Sequence, residues 1–370
     1  MRVTRLDIRN LRRFDEVGIA PGPGLNVLTG DNGAGKTSVL EALHVLGYGK
    51  SFRGRVREGL VRDGAEALEV FAQWTEGDVW PGAGATPRLR QAGLRHSGSA
   101  WGGRLDGEAV DRVGDICSAF AVVSFDPGSH ALISGAADHR RRYMDWGLFH
   151  VEPGFMPVWR HYARSLKQRN ALLKRRASAR ELDVWDLELV RSGEQLASMR
   201  AGYLSALEPA LAGLVRELVP ALGSASLHSR PGWREGESSL ADALLLARDR
   251  DLQAGFTSVG PHRADWRIEF SSLPGREALS RGQAKLAALS ALLAQAGHHA
   301  GVAGEWPVVT LDDLPSELDR RHQARVLDYL VESRAQVFLT GTERPEGARD
   351  APGYALFHVE QGQVRPVGAE

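Results

Sequence analysis

An α/β fold with an antiparallel β-subdomain and an inserted α-helical domain is predicted by three observations. An apolar strand runs directly into a glycine loop and then a helix. Farther along, apolar residues recur with a period of two. Past Pro153 the period becomes 3.6.

The strand-loop-helix unit begins after a first strand carrying Leu6 and Ile8 and a turn at Pro21–Gly24. Leu25-Asn-Val-Leu-Thr29 reads as a buried strand, and Gly30–Thr37 as the loop. Val39, Leu40, Leu43 and Leu46 then predict a helix that stops at Gly47. From Leu68 the alternation of Leu68, Val70, Ala72 and Trp74 with Glu69, Phe71 and Gln73 predicts a half-buried strand. Asp106-Gly107 is the pair favoured in two-residue hairpins, so this region is expected to be an antiparallel sheet. Residues 78–87, with Asp78, Pro81, Gly82, Gly84 and Pro87, read as a loop.

After Pro153, Phe155, Trp159, Tyr162, Leu166 and Leu173 line one helical face. A second run uses Trp185, Leu189, Leu196, Met199, Tyr203, Leu207, Leu211, Leu214 and Leu218, with Pro209 an expected kink. Near residue 256 the αβ pattern resumes. The expected division is therefore 1–120, head and β-subdomain; 121–255, helical insert; and 256–370, the rest of the head.

Composition sets broad limits. The 370 residues are 43% hydrophobic and 25% charged, which is ordinary for a globular chain with a sizeable core. One cysteine, Cys117, excludes an intrachain disulfide and points to a reducing compartment. No apolar run approaches the ~20 residues that span a bilayer, and the start lacks a signal peptide's apolar core, so a cytoplasmic protein is expected. With 46 Lys+Arg against 46 Asp+Glu the net charge is zero. Any attraction to nucleic acid must therefore come from local clusters.

The chemistry starts at Gly30-Asp-Asn32-Gly33-Ala-Gly35-Lys36-Thr37, followed by Ser38, which matches the phosphate-binding P-loop pattern in its required strand-helix context. Glycines let backbone N–H groups face phosphates at a helix N-terminus. Lys36 is expected on the β/γ oxygens and Thr37 on Mg²⁺. Near the other end, Leu279-Ser280-Arg281-Gly282-Gln283 opens a helix with Leu286, Leu289, Leu292, Leu293 and Ala296 inward and Gly297 as its stop. The strand Val308-Val-Thr-Leu311 then ends in Asp312-Asp313. Asp312 is placed to hold Mg²⁺ or its water, and Asp313 to act as the base that polarises attacking water. Ser280–Gln283 supplies a second anion-binding helix start.

In order and spacing, this set resembles the ABC-type ATPases. The resemblance implies an ABC/SMC-type P-loop ATPase head in which Ser280, Gly282 and Gln283 of one copy complete the ATP site of another, so that the chain dimerises on ATP. Five segments narrow it: Gly30 to Ala42, Arg140-Arg-Arg-Tyr-Met-Asp-Trp146, Leu166-Lys-Gln-Arg-Asn-Ala-Leu-Leu173, Gly260-Pro-His-Arg-Ala-Asp265 and Leu279 to Lys285. Together they are similar to the RecF family of bacterial recombination mediators, across essentially the whole chain. The resemblance implies an ATP-dependent DNA-binding clamp acting at gapped or stalled-fork DNA with RecO and RecR to load recombinase, with ATP and Mg²⁺ as cofactors. It also suggests Arg12, with Arg13, near the nucleotide, because SMC-like heads contact nucleotide after the first strand.

The sequence departs from the ABC pattern in three places. No glutamine lies between Gln91 and Gln168 to form a glutamine loop; Val122-Val-Ser124-Phe-Asp126-Pro occupies that stretch. Thr340-Gly-Thr342 stands where a switch histidine is usual. The general base is Asp313 rather than the commoner, longer Glu. Because positioning dominates phosphoryl transfer, slow turnover is expected.

Two basic clusters could meet DNA or be solvated faces. Residues 153–180 hold no acid but contain Arg160, Arg164, Lys167, Arg169, Lys174, Arg175, Arg176 and Arg180, of which Arg160, Arg164, Lys167 and Lys174 share a stripe. Lys50, Arg53, Arg55 and Arg57 follow the P-loop helix. Arg140–Arg142 are read as structural anchors of the insert, and His262 as a hydrogen-bonded structural histidine. A transporter nucleotide-binding subunit would share the P-loop and carboxylates but should keep the glutamine loop and switch histidine. A small-molecule kinase would not need Ser280–Gln283, and a purely structural scaffold would not need Lys36 and Asp312.

Overall fold

The computed structural model describes residues 1–53, 59–77, 87–273 and 279–368. Arg55, Arg57 and residues 78–86 of the expected loop lie outside the described residues. The chain forms two compact units, residues 1–129 with 289–370, and residues 130–288. The boundaries drawn from sequence at 120 and 255 differ from this division.

In chain order the first segment holds β1 (Arg2–Arg9), β2 (Glu16–Ile19), β3 (Leu25–Thr29), α1 (Lys36–Tyr48), β4 (Leu68–Glu76), β5 (Arg88–His96), β6 (Trp101–Leu105), β7 (Glu108–Ala109), α2 (Val113–Ala119) and β8 (Val122–Phe125). There follow α3 (Ala131–Ser134), α4 (Ala137–Val151), α5 (Phe155–Lys174), α6 (Ala179–Leu218), β9 (Ala225–Arg230), α7 (Leu240–Ala254), β10 (Asp265–Phe270) and α8 (Arg281–Ala303). The chain closes with β11 (Val308–Leu311), α9 (Leu314–Glu317), α10 (Arg320–Glu332), β12 (Val337–Gly341), β13 (Ala355–Glu360) and β14 (Gln363–Val367).

The first unit contains two sheets. One has the order β14-β13-β3-β12-β11-β8, with β13, β3, β12, β11 and β8 parallel and β14 an antiparallel edge. Its inner strands read as continuous apolar runs because both faces are covered, and all four residues of β11 are buried. The other, in the order β2-β1-β4-β5-β6-β7, is antiparallel throughout. In β4 the residues expected inside, Leu68, Val70, Ala72 and Trp74, are all buried. Asp106 and Gly107 both have positive φ, 52° and 91°, as a type I′ turn between β6 and β7 requires.

Helix α1 meets strands of both sheets, β4 of one and β8 and β12 of the other. It is buried at Lys36 and continuously from Ser38 to Gly47, so its weak amphipathicity reflects burial all round. Gly47 does not stop it. A Cβ there would press on the Val122 side chain, and the helix ends in the left-handed Gly49. Buried Gln336 bridges separate segments: it accepts from Val3 N (2.7 Å) and donates to the carbonyls of Val3 and Gly22 (both 2.8 Å).

The second unit is built on α5 and the 40-residue α6, joined through a capping box in which Ser178 and Glu181 satisfy each other's ends. Pro209 sits inside α6, whose span is unbroken. Facing residues are close enough that a Cβ on Gly147 of α4 would run into the Tyr203 ring of α6. The apolar face predicted for α5 is corrected at Trp159, which is 38% exposed. Buried Arg169 takes part of the interior instead, bonded to Asp186 (2.5 Å), Asp251 (2.7 Å) and Thr257 (3.0 Å). Strands β9 and β10 pair as an antiparallel ribbon, so the strand after residue 256 belongs to this unit. Gly297 likewise lies inside α8, whose stop is the left-handed Gly304 (φ 77°), and Leu292 is only half-buried.

Candidate nucleotide site

Parallel strands collect functional side chains where their carboxyl ends meet, because the loops that leave them share one rim of the sheet. Here β3 delivers Gly30, β11 delivers Asp312, β12 delivers Thr340 and β8 delivers Asp126-Pro127. Along this rim runs a cavity of about 770 Å³ lined by the loop residues Asn32, Gly33, Gly35, Lys36, Thr37 and Ser38, and by Asp312, Asp313 and Thr340.

The loop's shape depends on glycine at two positions in particular. Gly30 (φ 146°) lies against the Val359 carbonyl of β13, where a Cβ has no room. Gly35 (φ 119°) lies against the Phe14 ring and is the left-handed entry to α1. The Lys36 ammonium donates to the carbonyls of Gly30 (2.6 Å) and Asp31 (2.9 Å), which holds the loop around it. Burial lowers its pKa, opposed by the charges of Asp313, Asp31 and Asp312.

The metal-ligand pair predicted from sequence is in contact: Thr37 Oγ1 donates to Asp312 Oδ1 at 2.8 Å. Two adjacent hard oxygen donors suit Mg²⁺, which takes one or two protein ligands and completes its shell with water and phosphate oxygens. Among the described residues no group of three or more acidic, His or Cys side chains could hold a metal ion. Burial pushes the Asp312 carboxyl above its ordinary pKa, while bonds from Thr340 and Thr37 favour its ionised form and Asp313 opposes it.

Asp313 has left-handed backbone angles (φ 53°, ψ 39°). Its N–H donates to Thr340 Oγ1 (2.8 Å), and that hydroxyl donates to Asp312 Oδ1 (2.8 Å). Thr340 therefore links the two carboxylate residues, a role the sequence did not reveal.

The same cavity is also lined by Arg12, Arg13, Arg53, Gly59, Val61, Arg62 and Asp63. The Arg12 guanidinium grips the buried Glu41 of α1 through Nε (3.0 Å) and a terminal nitrogen (2.7 Å). Arg13 donates to the Gly33 carbonyl (3.0 Å). Arg53, grouped by sequence with a possible DNA cluster, lines this cavity. The Ser124 hydroxyl lies 3.0 Å from His44 Nδ1, and burial holds His44 down to about 3. Asp126 receives the Gly128 N–H (2.6 Å) and forms a turn with Ser129, and Pro127 lines the cavity.

Ser280, Gly282 and Gln283 belong to the second unit and are not among the lining residues. Ser280 N donates to Gln283 Oε1 (2.9 Å) and Gln283 N to Ser280 Oγ (3.2 Å), a capping box at the start of the 23-residue α8. Ser280, Arg281 and Gly282 are exposed.

The remaining candidates sort by environment. Arg140 is buried on Asp265 (2.5 Å) and the Gly135 carbonyl (2.8 Å), and Arg141 donates to the Ala264 carbonyl (2.9 Å). Both therefore brace the second unit itself. His262 accepts from the Tyr162 hydroxyl at Nδ1 (2.7 Å) and donates from Nε2 to the Thr257 carbonyl (2.9 Å), with its pKa lowered to about 4 by burial.

The RecF/RecN/SMC N terminal domain family matches residues 2–364. A relative called DNA replication and repair protein RecF, from Stenotrophomonas maltophilia (strain R551-3), is 59% identical over 367 residues, covering 99% of this chain and 100% of its own. The solved structure of the recombination mediator protein RecF with ATP, in the RecFOR pathway, matches with a TM-score of 0.85 at 25% identity, over 99% of each chain. An Smc head bound to the C-winged helix domain of ScpA shares the fold alone (TM-score 0.59, 16% identity, 100% of this chain and 98% of that one).

Proposed function

The chain belongs to the RecF family, within the RecF/RecN/SMC N terminal domain group, and from that premise we propose that it is an ATP-dependent DNA-binding clamp of recombinational repair. In this reading it closes as a dimer on ATP at gapped or stalled-fork DNA and works with RecO and RecR to load recombinase. The observation that carries it is the grouping of Lys36, Thr37, Asp312 and Asp313 on one cavity at the sheet's carboxyl rim.

The loop N–H groups and Lys36 take the β- and γ-phosphates. Thr37 and Asp312 would hold Mg²⁺, which neutralises charge on the phosphate oxygens. Asp313 accepts the proton of a water that attacks the γ-phosphorus, and the bond to the bridging oxygen breaks to release ADP and phosphate. Asp313 carries one methylene fewer than glutamate, and slow hydrolysis follows from that shorter reach. A second copy supplies its Ser280–Gln283 helix start, exposed at Ser280, Arg281 and Gly282, whose hydroxyl and N–H groups complete the γ-phosphate site.

Sedimentation with and without ATP and a gapped duplex tests this. Wild type should dimerise only with ATP, and Lys36→Met and Ser280→Arg should both remain monomeric. A wild type that stays monomeric with ATP overturns the assembly step, and an ATP-bound protein that ignores DNA at low salt overturns the clamp.

A further inference from the structure

Two arginines of the second unit's basic run are occupied. Arg169 is fully buried among Asp186, Asp251 and Thr257, and Arg175 pairs with Glu181. Four of the remaining cations share one face of α5. Arg160, Arg164, Lys167 and Lys174 of α5 are all exposed, and none pairs with a carboxylate among the described residues. Their spacing of four, three and seven residues keeps them within one stripe. That stripe lies half a turn from Tyr162, Ser165, Arg169 and Leu173, the buried side of the same helix. Glu188 of α6 is engaged by His161 of α5 at 2.7 Å.

We propose that this stripe of α5 is the surface along which the protein holds the phosphodiester backbone of duplex DNA. The inference rests on the DNA-binding reading above and adds where the contact is made. From residue 160 to 174 the helix rises about 21 Å. A duplex presents one negative charge per ~1.7 Å of axis, so phosphates are available to every one of the four cations. Arginine and lysine on phosphates position a protein without reading bases, so binding here is indifferent to sequence. A lipid surface is the poorer match, because a membrane-lying helix needs a broad apolar face beside its cations, whereas Phe155, Tyr162 and Leu173 of α5 are buried in its own unit.

The test uses the full chain with ATP and a fluorescent 40-base-pair duplex of arbitrary sequence, titrated over a range of KCl concentrations. Arg160→Ala, Arg164→Ala, Lys167→Ala and Lys174→Ala are combined and compared with wild type. All four positions are exposed, so circular dichroism and ATP-dependent sedimentation should be unchanged. Each phosphate contact contributes about 0.9 to the slope of log affinity against log salt, so the fourfold variant should lose about 3.6 from that slope. At low salt it should bind at least tenfold more weakly. Wild type and variant with the same slope and affinity would overturn the α5 assignment while leaving the clamp intact. A wild type that binds no duplex would overturn both. Loss of binding to anionic vesicles in the variant, with duplex binding unchanged, would reassign the stripe to lipid.

Discussion

Thr340 shows what a single hydroxyl can do between two carboxylates. It receives the Asp313 N–H and donates to Asp312, so it holds the base's backbone in its left-handed conformation and orients the metal ligand at once. Thr340→Val keeps the shape but removes both bonds. We expect nucleotide affinity within a few-fold of wild type and hydrolysis slowed at least about tenfold, equivalent to ~1.4 kcal/mol in the barrier. Thr340→Ser should restore the rate. Single-turnover hydrolysis beside nucleotide titration checks this, and a Thr340→Val protein hydrolysing at the wild-type rate would refute it. The P-loop was legible because its glycines and lysine are adjacent in sequence. The role of Thr340 was not, because the register of β11 against β12 creates it. The place of Arg53 on the cavity was likewise not legible, because its neighbours in sequence are basic, whereas its neighbours in space line the cavity.

At the scale of elements, patterning predicted β4, the Asp106-Gly107 hairpin and the existence of α1, α5, α6 and α8. It failed where glycine has two meanings, packing or stopping: Gly47 and Gly297 lie within helices, while Gly49 and Gly304 end them. It also failed where a charge occupies the interior. Arg169 ties α5 to Asp186 of α6 and Asp251 of α7. Removing one partner of a buried pair leaves uncompensated charge, so Arg169→Met should destabilise the second unit by about 3–5 kcal/mol in urea unfolding. Buried histidines add a pH dependence. His262 titrates near 4 and His44 near 3, against about 6.5 in the unfolded chain. Unfolding therefore takes up protons below pH 6.5. The stability from keeping each ring neutral is complete above that pH and falls as the pH drops toward 4 and 3. Near pH 5 each loss is about 2 kcal/mol, which melting curves at about pH 5 and neutral pH would register as a lower Tm.

For the whole molecule, the two units hold different parts of the proposed machinery. Residues 1–129 and 289–370 carry the P-loop and both carboxylates, and residues 130–288 carry Ser280–Gln283 and the α5 stripe. No helix among the described residues is long and apolar enough to cross a membrane. The central claim is that each ATP site is shared between two copies. Lys36→Met spoils the loop but leaves the helix start of α8, and Ser280→Arg does the reverse. In a twofold dimer of one with the other, one site regains both intact halves. The most direct measurement is ATP hydrolysis by an equal mixture of the two variants with gapped duplex. Sharing predicts that each variant alone is inactive and that the mixture regains hydrolysis, up to about half of the wild-type rate, from the one intact site in each mixed dimer. A Ser280→Arg protein that hydrolyses ATP unaided, or a mixture no more active than its components, would contradict it.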